Sequence, residues 1–149
     1  MIDVPVEALR QILGTEGLVI EGPELEKYGA NTLDSPRQVA AVARPQNQDH
    51  LLALVPLLAE RKVPFYPVST GRNWGYGGAT PVVDDCVLLE LSLMNKILEF
   101  NAELGYVRVE PGVTQQILYD YLQSHGQGRF LTPTTGAGPT ASILGNALE

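Results

Sequence analysis

The chain has 149 residues, of which 44% are hydrophobic and 18% charged, and its formal net charge is −7. That is enough chain and apolar content for one domain with a true core, which excludes a disordered polymer. The acidic balance argues against nucleic acid as a partner, because affinity there rests on basic patches, and a single cysteine, Cys86, excludes a disulfide framework.

Val6, Leu9 and Leu13 recur at helical spacing, which predicts a short amphipathic helix over Val4–Leu13 closed by Gly14. "GLVIEG" (17–22) reads as a short strand or an extended connector, and "PELEKYGANTLDSP" (23–36) as one helical turn followed by loop. "QVAAVARP" (38–45) reads as a strand. The segment "QNQDHLLALVPLLAERK" (46–62) predicts a helix with Leu51, Leu54, Val55 and Leu58 on one face and Pro56 able to kink it. Its apolar run, Leu51–Ala59, is the longest in the chain and too short to span a bilayer. The N-terminus "MIDVPVEALRQ" carries no basic segment leading into an apolar one. No membrane partner is expected, and a reducing compartment, the cytoplasm, is the default.

"VPFYPV" (63–68) predicts a strand, and "CVLLELS" (86–92), apolar without alternation, a strand buried on both faces. "ILEFN" (97–101) and "GYVRVEPG" (105–112) read as a hairpin turning near Ala102–Leu104. In "TQQILYDYLQSHG" (114–126), Thr114 can cap a helix, Ile117, Leu118, Tyr121 and Leu122 form its apolar face, and Gly126 ends it. "RFLTP" (129–133) reads as a brief strand and "TTGAGPTASILGN" (134–146) as a glycine-bearing loop. These elements give a mixed α/β (α+β) architecture in one domain, with strand–helix–strand units first and antiparallel pairing later.

Between the strands at 63–68 and 86–92 lies "STGRNWGYGGATP", with glycines at 71, 75, 77 and 78. It is no P-loop, because it holds no lysine. It is no dinucleotide fingerprint either. Gly75 and Gly77 fit G-x-G-x-x-G, but Thr80 replaces the third glycine, and Pro81-Val82-Val83 cannot open a helix well. A loop between two strands lacks a following helix dipole, so its amides would have to converge on an anion as a nest. Glycine permits positive φ and close backbone approach, Ser69 and Thr70 add hydroxyls, and Arg72 adds one cation. That inventory suits a pyrophosphate. The plain alternative is a glycine-rich turn with Trp74 and Tyr76 packed over it.

The order "YPVSTGRNWGYGGATP", "CVLLELSLMNKILEFNAELGYVRVEPGVTQQILYDYL" and "TPTTGAGPTASILGNALE" resembles the FAD-binding domain of the p-cresol methylhydroxylase and vanillyl-alcohol oxidase family. The likeness to this PCMH-type domain runs from about Arg37 to the last residue. It implies that FAD is bound, that the pyrophosphate is wrapped by Ser69, Thr70, Gly71, Arg72, Asn73, Gly75, Tyr76 and Gly77, and that Pro111, Gly112 and Val113 lie near the adenosine half. It also implies that Ser142, Ile143, Gly145 and Asn146 touch the pyrophosphate and ribityl chain, with Thr132–Gly136, including Thr135, along the flavin side. The full enzyme would move a hydride equivalent from a phenolic or alcohol substrate to flavin N5.

Two departures from the family pattern matter. Some relatives tether FAD through a histidine in this loop, where Gly71, Arg72 and Asn73 stand here, so non-covalent FAD is expected. His50, His125 and Cys86 are read as a solvated helix residue, a helix C-terminal residue and a core thiol. Family members are also much longer, and a separate cap domain supplies substrate contacts and acid/base groups. The chain therefore reads as the N-terminal portion of an FAD-dependent oxidoreductase, truncated before the cap, with catalytic residues unassigned, no metal, and no turnover alone. A flavin module that needs a second polypeptide is the alternative, and an inactive remnant a third. Uncovered apolar surface on "CVLLELS" and "ILYDYL" is expected to favour homo-oligomers.

Overall fold

A computed structural model describes residues 3–31, 35–72, 79–126, 128–132 and 137–147. Leu9 and Leu13 sit on the buried face of the first helix, α1 (Val6–Leu13), which Gly14 ends at φ 73°. A short strand β1 (Leu18–Val19) leads to helix α2 (Pro23–Gly29), whose proline stands in the first turn, where its missing N–H is no loss. The segment read as one turn is thus a seven-residue helix. Strand β2 (Val39–Ala43) follows, then helix α3 (Gln48–Glu60), capped by the Asn47 side chain accepting from the His50 N–H at 2.9 Å. Strands β3 (Phe65–Val68) and β4 (Cys86–Glu90) complete a sheet of order β1-β2-β4-β3, in which β4 is parallel to both neighbours and β1 antiparallel to β2.

The two-residue period of strands sorts this core into layers. Ala41, Ala43, Val87 and Leu89 face Leu9, Leu13, Leu54 and Leu58 of α1 and α3. Val42 and Leu88 face the other way, onto Tyr28 of α2, with Tyr66, Val68 and Ala79 beside them. Every residue of β4 is buried: Cys86–Leu89 as their apolar run requires, and Glu90 with hydrogen-bond partners of its own. The expectation that "CVLLELS" would stay uncovered is therefore corrected: α1 and α3 close one face and α2 the other. The predicted α3 face is narrower than read, because Leu54 and Leu58 are fully buried while Val55 is exposed.

The second region starts after β4. Strands β5 (Ile97–Asn101) and β6 (Tyr106–Val109) form the expected antiparallel hairpin, and helix α4 (Gln115–His125) packs Leu118 and Leu122 against it. Thr114 caps α4, its Oγ1 accepting from the Ile117 N–H at 3.2 Å. The brief strand read at 129–133 is absent over the described residues 128–132. Phe130 instead meets Phe100 edge-on at 5.4 Å, so this stretch is fixed by a ring contact and not by a ladder. The loop read through 146 is also corrected. Residues Ile143–Ala147 form a short helix, α5, and Ser142 makes an isolated antiparallel bridge with Thr114. Ser142 explains the helix, since its Oγ accepts from the Gly145 N–H at 2.8 Å.

The two regions join at Gly112. Its N–H donates to Met94 O at 2.7 Å. A β-carbon there would lie 2.5 Å from Leu91 O, 2.6 Å from Ser92 O and 2.8 Å from Met94 O. Only glycine lets the hairpin's return approach the exit of β4 this closely.

Candidate functional site

β2, β3 and β4 all run the same way, so Arg44, Ser69 and Glu90 gather at one carboxyl edge of the sheet, where open parallel sheets bind ligands. The connection leaves β3 there and returns to β4. The described part of residues 69–85 contains neither helix nor strand, as the loop reading requires. Ser69, Thr70 and Gly71 are half-buried, Gly71 has φ 63°, and Arg72 is exposed. On its way back the connection is pinned by Asp84, whose carboxylate accepts from the Gln38 N–H at 2.9 Å and meets Arg37 at 3.5 Å.

Among the described site residues, the structure brings together two segments far apart in sequence. A β-carbon on Gly145 would lie 3.9 Å from Ser69 Oγ, so the start of the glycine loop abuts α5. Gly145 and Asn146 lie in that short helix and Ser142 stands just before it, Asn146 donating its N–H to Ser142 O at 3.1 Å. Ile143 spends its N–H on Val113 O at 2.9 Å and packs its side chain on the hairpin core. Pro111, Gly112 and Val113 form the turn at the junction of the regions, with the Val113 N–H donated to Glu110 O at 3.1 Å and its side chain fully buried. Their first role is thus to fasten the fold. Asn73, Gly75, Tyr76, Gly77, Thr135 and Gly136 lie outside the described residues.

Three features escaped sequence reading. Glu90, 8% exposed, accepts from Tyr28 Oη at 2.7 Å, from Arg44 Nε at 2.7 Å and from Ser92 Oγ, while Arg44 also pairs with Glu24. Burial opposes ionisation of Glu90. The hydrogen bonds from Ser92, Arg44 and Tyr28 outweigh it and hold the carboxyl below its usual range. Its charge is therefore compensated where it would otherwise repel an anionic ligand. Thr80 donates its hydroxyl to Ala30 O at 2.8 Å, tying the returning arm of the loop to the end of α2. Gln115 is buried, its backbone N–H donates to Ala141 O at 3.0 Å, and its Nε2 has no hydrogen-bond partner among the described residues. A buried donor left unmet costs about 1–3 kcal/mol. Pairings across 50 or 62 residues leave no periodic trace in the sequence. The signal available was the polar pair Thr114-Gln115 opening a helix beside a glycine-bearing segment.

The cysteine and the two histidines sit in local surroundings. Cys86 is 1% exposed, and burial pushes its thiol up to about 11. His50 Nδ1 accepts from the Gln46 N–H at 3.4 Å, and His125 stacks on Tyr121 at 4.1 Å. Among the described residues no group of three His, Cys, Asp or Glu side chains could hold a metal ion, and no helix is long and apolar enough to cross a membrane.

Residues 39–149 match the model of a family described as FAD binding domain. The chain belongs to this FAD-binding domain family. It is 35% identical over 147 residues to the 4-cresol dehydrogenase [hydroxylating] flavoprotein subunit of Pseudomonas putida, covering 93% of this chain and 28% of that protein. It is 39% identical over 142 residues to 1'-carboxy-chondrochloren decarboxylase of Chondromyces crocatus, covering 95% of this chain and 26% of that one. The solved structure of p-cresol methylhydroxylase with substrate bound superposes with a TM-score of 0.86 at 32% identity, over 96% of this chain and 28% of that one. A 4-ethylphenol oxidase from Gulosibacter chungangensis, as its isoeugenol complex, gives 0.85 at 28% identity, over 97% and 28%. The fold is the PCMH-type FAD-binding fold and FAD is the cofactor of this domain. The chain spans little more than a quarter of the length of these relatives.

Proposed function

We propose that this FAD-binding domain serves a flavin-dependent oxidoreductase acting on an alkylphenol or aryl alcohol, with the pyrophosphate seated where Ser69–Arg72 meets α5. One observation carries the seating: Gly145 abuts Ser69 although 76 residues separate them. The fit is favourable. Gly71 takes φ 63° at the start of the loop, exposed Arg72 can add a charge-assisted contact, and Ser142, whose oxygen caps α5, keeps a hydroxyl proton to donate. By resemblance Asn73, Gly75, Tyr76 and Gly77 continue the cradle, and Thr135, Gly136 and Asn146 extend it toward the ring. FAD, when bound, supplies the redox chemistry, while the protein binds and orients it.

The substrate class follows the cresol and ethylphenol relatives. A decarboxylase among the relatives supports a reading in which the pocket chemistry is set by the rest of the protein. Val82 and Leu104 at 73% and Leu131 at 85% exposure favour cover by further protein, either a cap domain or a second polypeptide. With Asn73 at the tethering position and Cys86 buried, FAD is held non-covalently, in a reducing, cytoplasmic setting, with small molecules and not nucleic acid as the other ligands. The test is a fluorescence titration of the 149-residue chain with FAD and with riboflavin. Tighter binding of FAD, and its full release on acid precipitation, is expected. Equal affinity for the two contradicts the pyrophosphate site, and flavin left on a peptide with His50, His125 or Cys86 contradicts non-covalent attachment.

A further inference from the structure

Helix α2 lies outside residues 39–149, the part that matches the FAD-binding family, yet it touches both ends of the glycine loop. A β-carbon on Gly71 would lie 3.2 Å from Ala79 Cβ and 3.8 Å from Tyr28 Cε1, so the outgoing and returning arms meet each other against the Tyr28 ring. Ala79 packs in the same apolar cluster as Tyr28. One residue further on, the Thr80 hydroxyl donates to Ala30 O at 2.8 Å, just past the end of α2.

The helix is itself fixed to the sheet edge at both ends. Tyr28 Oη donates to Glu90, and Arg44 bridges Glu90 to Glu24 in the first turn of α2. At the far end the Arg37 N–H donates to Gly29 O at 2.9 Å, and a β-carbon on Gly29 would lie 2.2 Å from Arg37 O, so no larger residue fits.

We infer that α2 is a clamp on the loop's neck, with Tyr28 and Thr80 as positioning residues that hold Gly71 and Ala79 together and so pre-form the loop's grip on pyrophosphate. The inference rests on the pyrophosphate reading of that loop. Physically, a long connection free at its neck would lose conformational entropy on closing around a ligand, and a neck already closed removes part of that cost from binding. The effect of Tyr28 and Thr80 passes through the separation of the two arms.

The experiment titrates the wild-type 149-residue chain, Thr80→Ala, Thr80→Ser and Tyr28→Phe with FAD and with riboflavin. The clamp predicts that Thr80→Ala weakens FAD roughly two- to tenfold, the size of one lost neutral hydrogen bond, with riboflavin unchanged and the Ser variant restored. Tyr28→Phe, which keeps the ring and leaves Glu90 its Arg44 and Ser92 partners, should lose less, with the same selectivity. Equal loss of both flavins, no loss in either variant, or failure of Thr80→Ser to restore FAD overturns the clamp. Wild type that binds FAD no better than riboflavin, or binds neither, overturns the loop reading first and the clamp with it. Wild type that prefers FAD while the variants match it overturns the clamp alone.

Discussion

The sheet with its three helices and the hairpin with α4 and α5 are built by opposite rules. In the sheet, β4 is buried at all five positions, and β2 at four of five. In the hairpin, burial alternates along β6, Leu98 is half exposed, and the core reduces to Val113, Leu118 and Leu122 with partly buried partners. The first region can stand on two-sided packing. The second depends on its attachments: Gly112 under the exit of β4, the Thr114–Ser142 bridge and the Phe100–Phe130 contact. The candidate site lies on the junction, with one wall from each. A ligand there must bridge a well-packed part and a thinly packed one.

The comparison breaks most sharply on matched truncations. Leu88→Ala empties a fully buried position and should cost about 4 kcal/mol of unfolding free energy, whereas Leu118→Ala, in the smaller core, should cost about 2. Urea unfolding measures both, and equal losses would mean that the two cores are equally well supported. Next comes the hinge between them. Gly112→Val drives a side chain into three carbonyl oxygens and should cost about 3 kcal/mol. Hydrogen exchange should show the loss spread first through β5, β6 and α4, and uniform loosening of the whole chain would contradict the division.

A smaller, pH-dependent effect belongs to the sheet edge. Because Glu90 titrates below its usual range when folded, its contribution is complete above the ordinary carboxylate pKa of about 4.3 and is lost as pH falls through the lower folded value. Unfolding free energy should therefore drop on acidification below about pH 4.3, and Glu90→Gln should flatten that limb while lowering stability at pH 7. An unchanged acid limb in the variant would assign the drop to other carboxylates. The smallest effect is Thr114→Ala, about 1 kcal/mol for a lost N-cap, seen as a lower thermal midpoint.

How far the sequence revealed the fold follows the same divide. β4 was readable because an unbroken apolar run can only be buried on both faces, and α4 because a capping threonine precedes a clean apolar stripe. The stretch after α4 was misread: "RFLTP" has strand-like residues, yet Phe130 uses its ring to fill the hairpin core. "SILGN" looked like loop because glycine and asparagine disfavour helix, and the Ser142 cap overrides that over one turn. At the site, glycine spacing pointed to Ser69–Arg72. The contact between Gly145 and Ser69, the contacts of Tyr28 and Thr80 at the loop's neck, and the compensated Glu90 depend mostly on residues distant in sequence, for which local pattern carries no information.

The central claim is that FAD binds across the junction, touching the loop from β3 and the helix α5 at once. Amide hydrogen exchange by mass spectrometry, with and without saturating FAD, tests it directly. The account predicts that peptides containing Ser69–Arg72 and peptides containing Ser142–Asn146 both slow on adding FAD, at the same ligand concentration. Protection of one segment without the other, or of neither while flavin is bound, would contradict it.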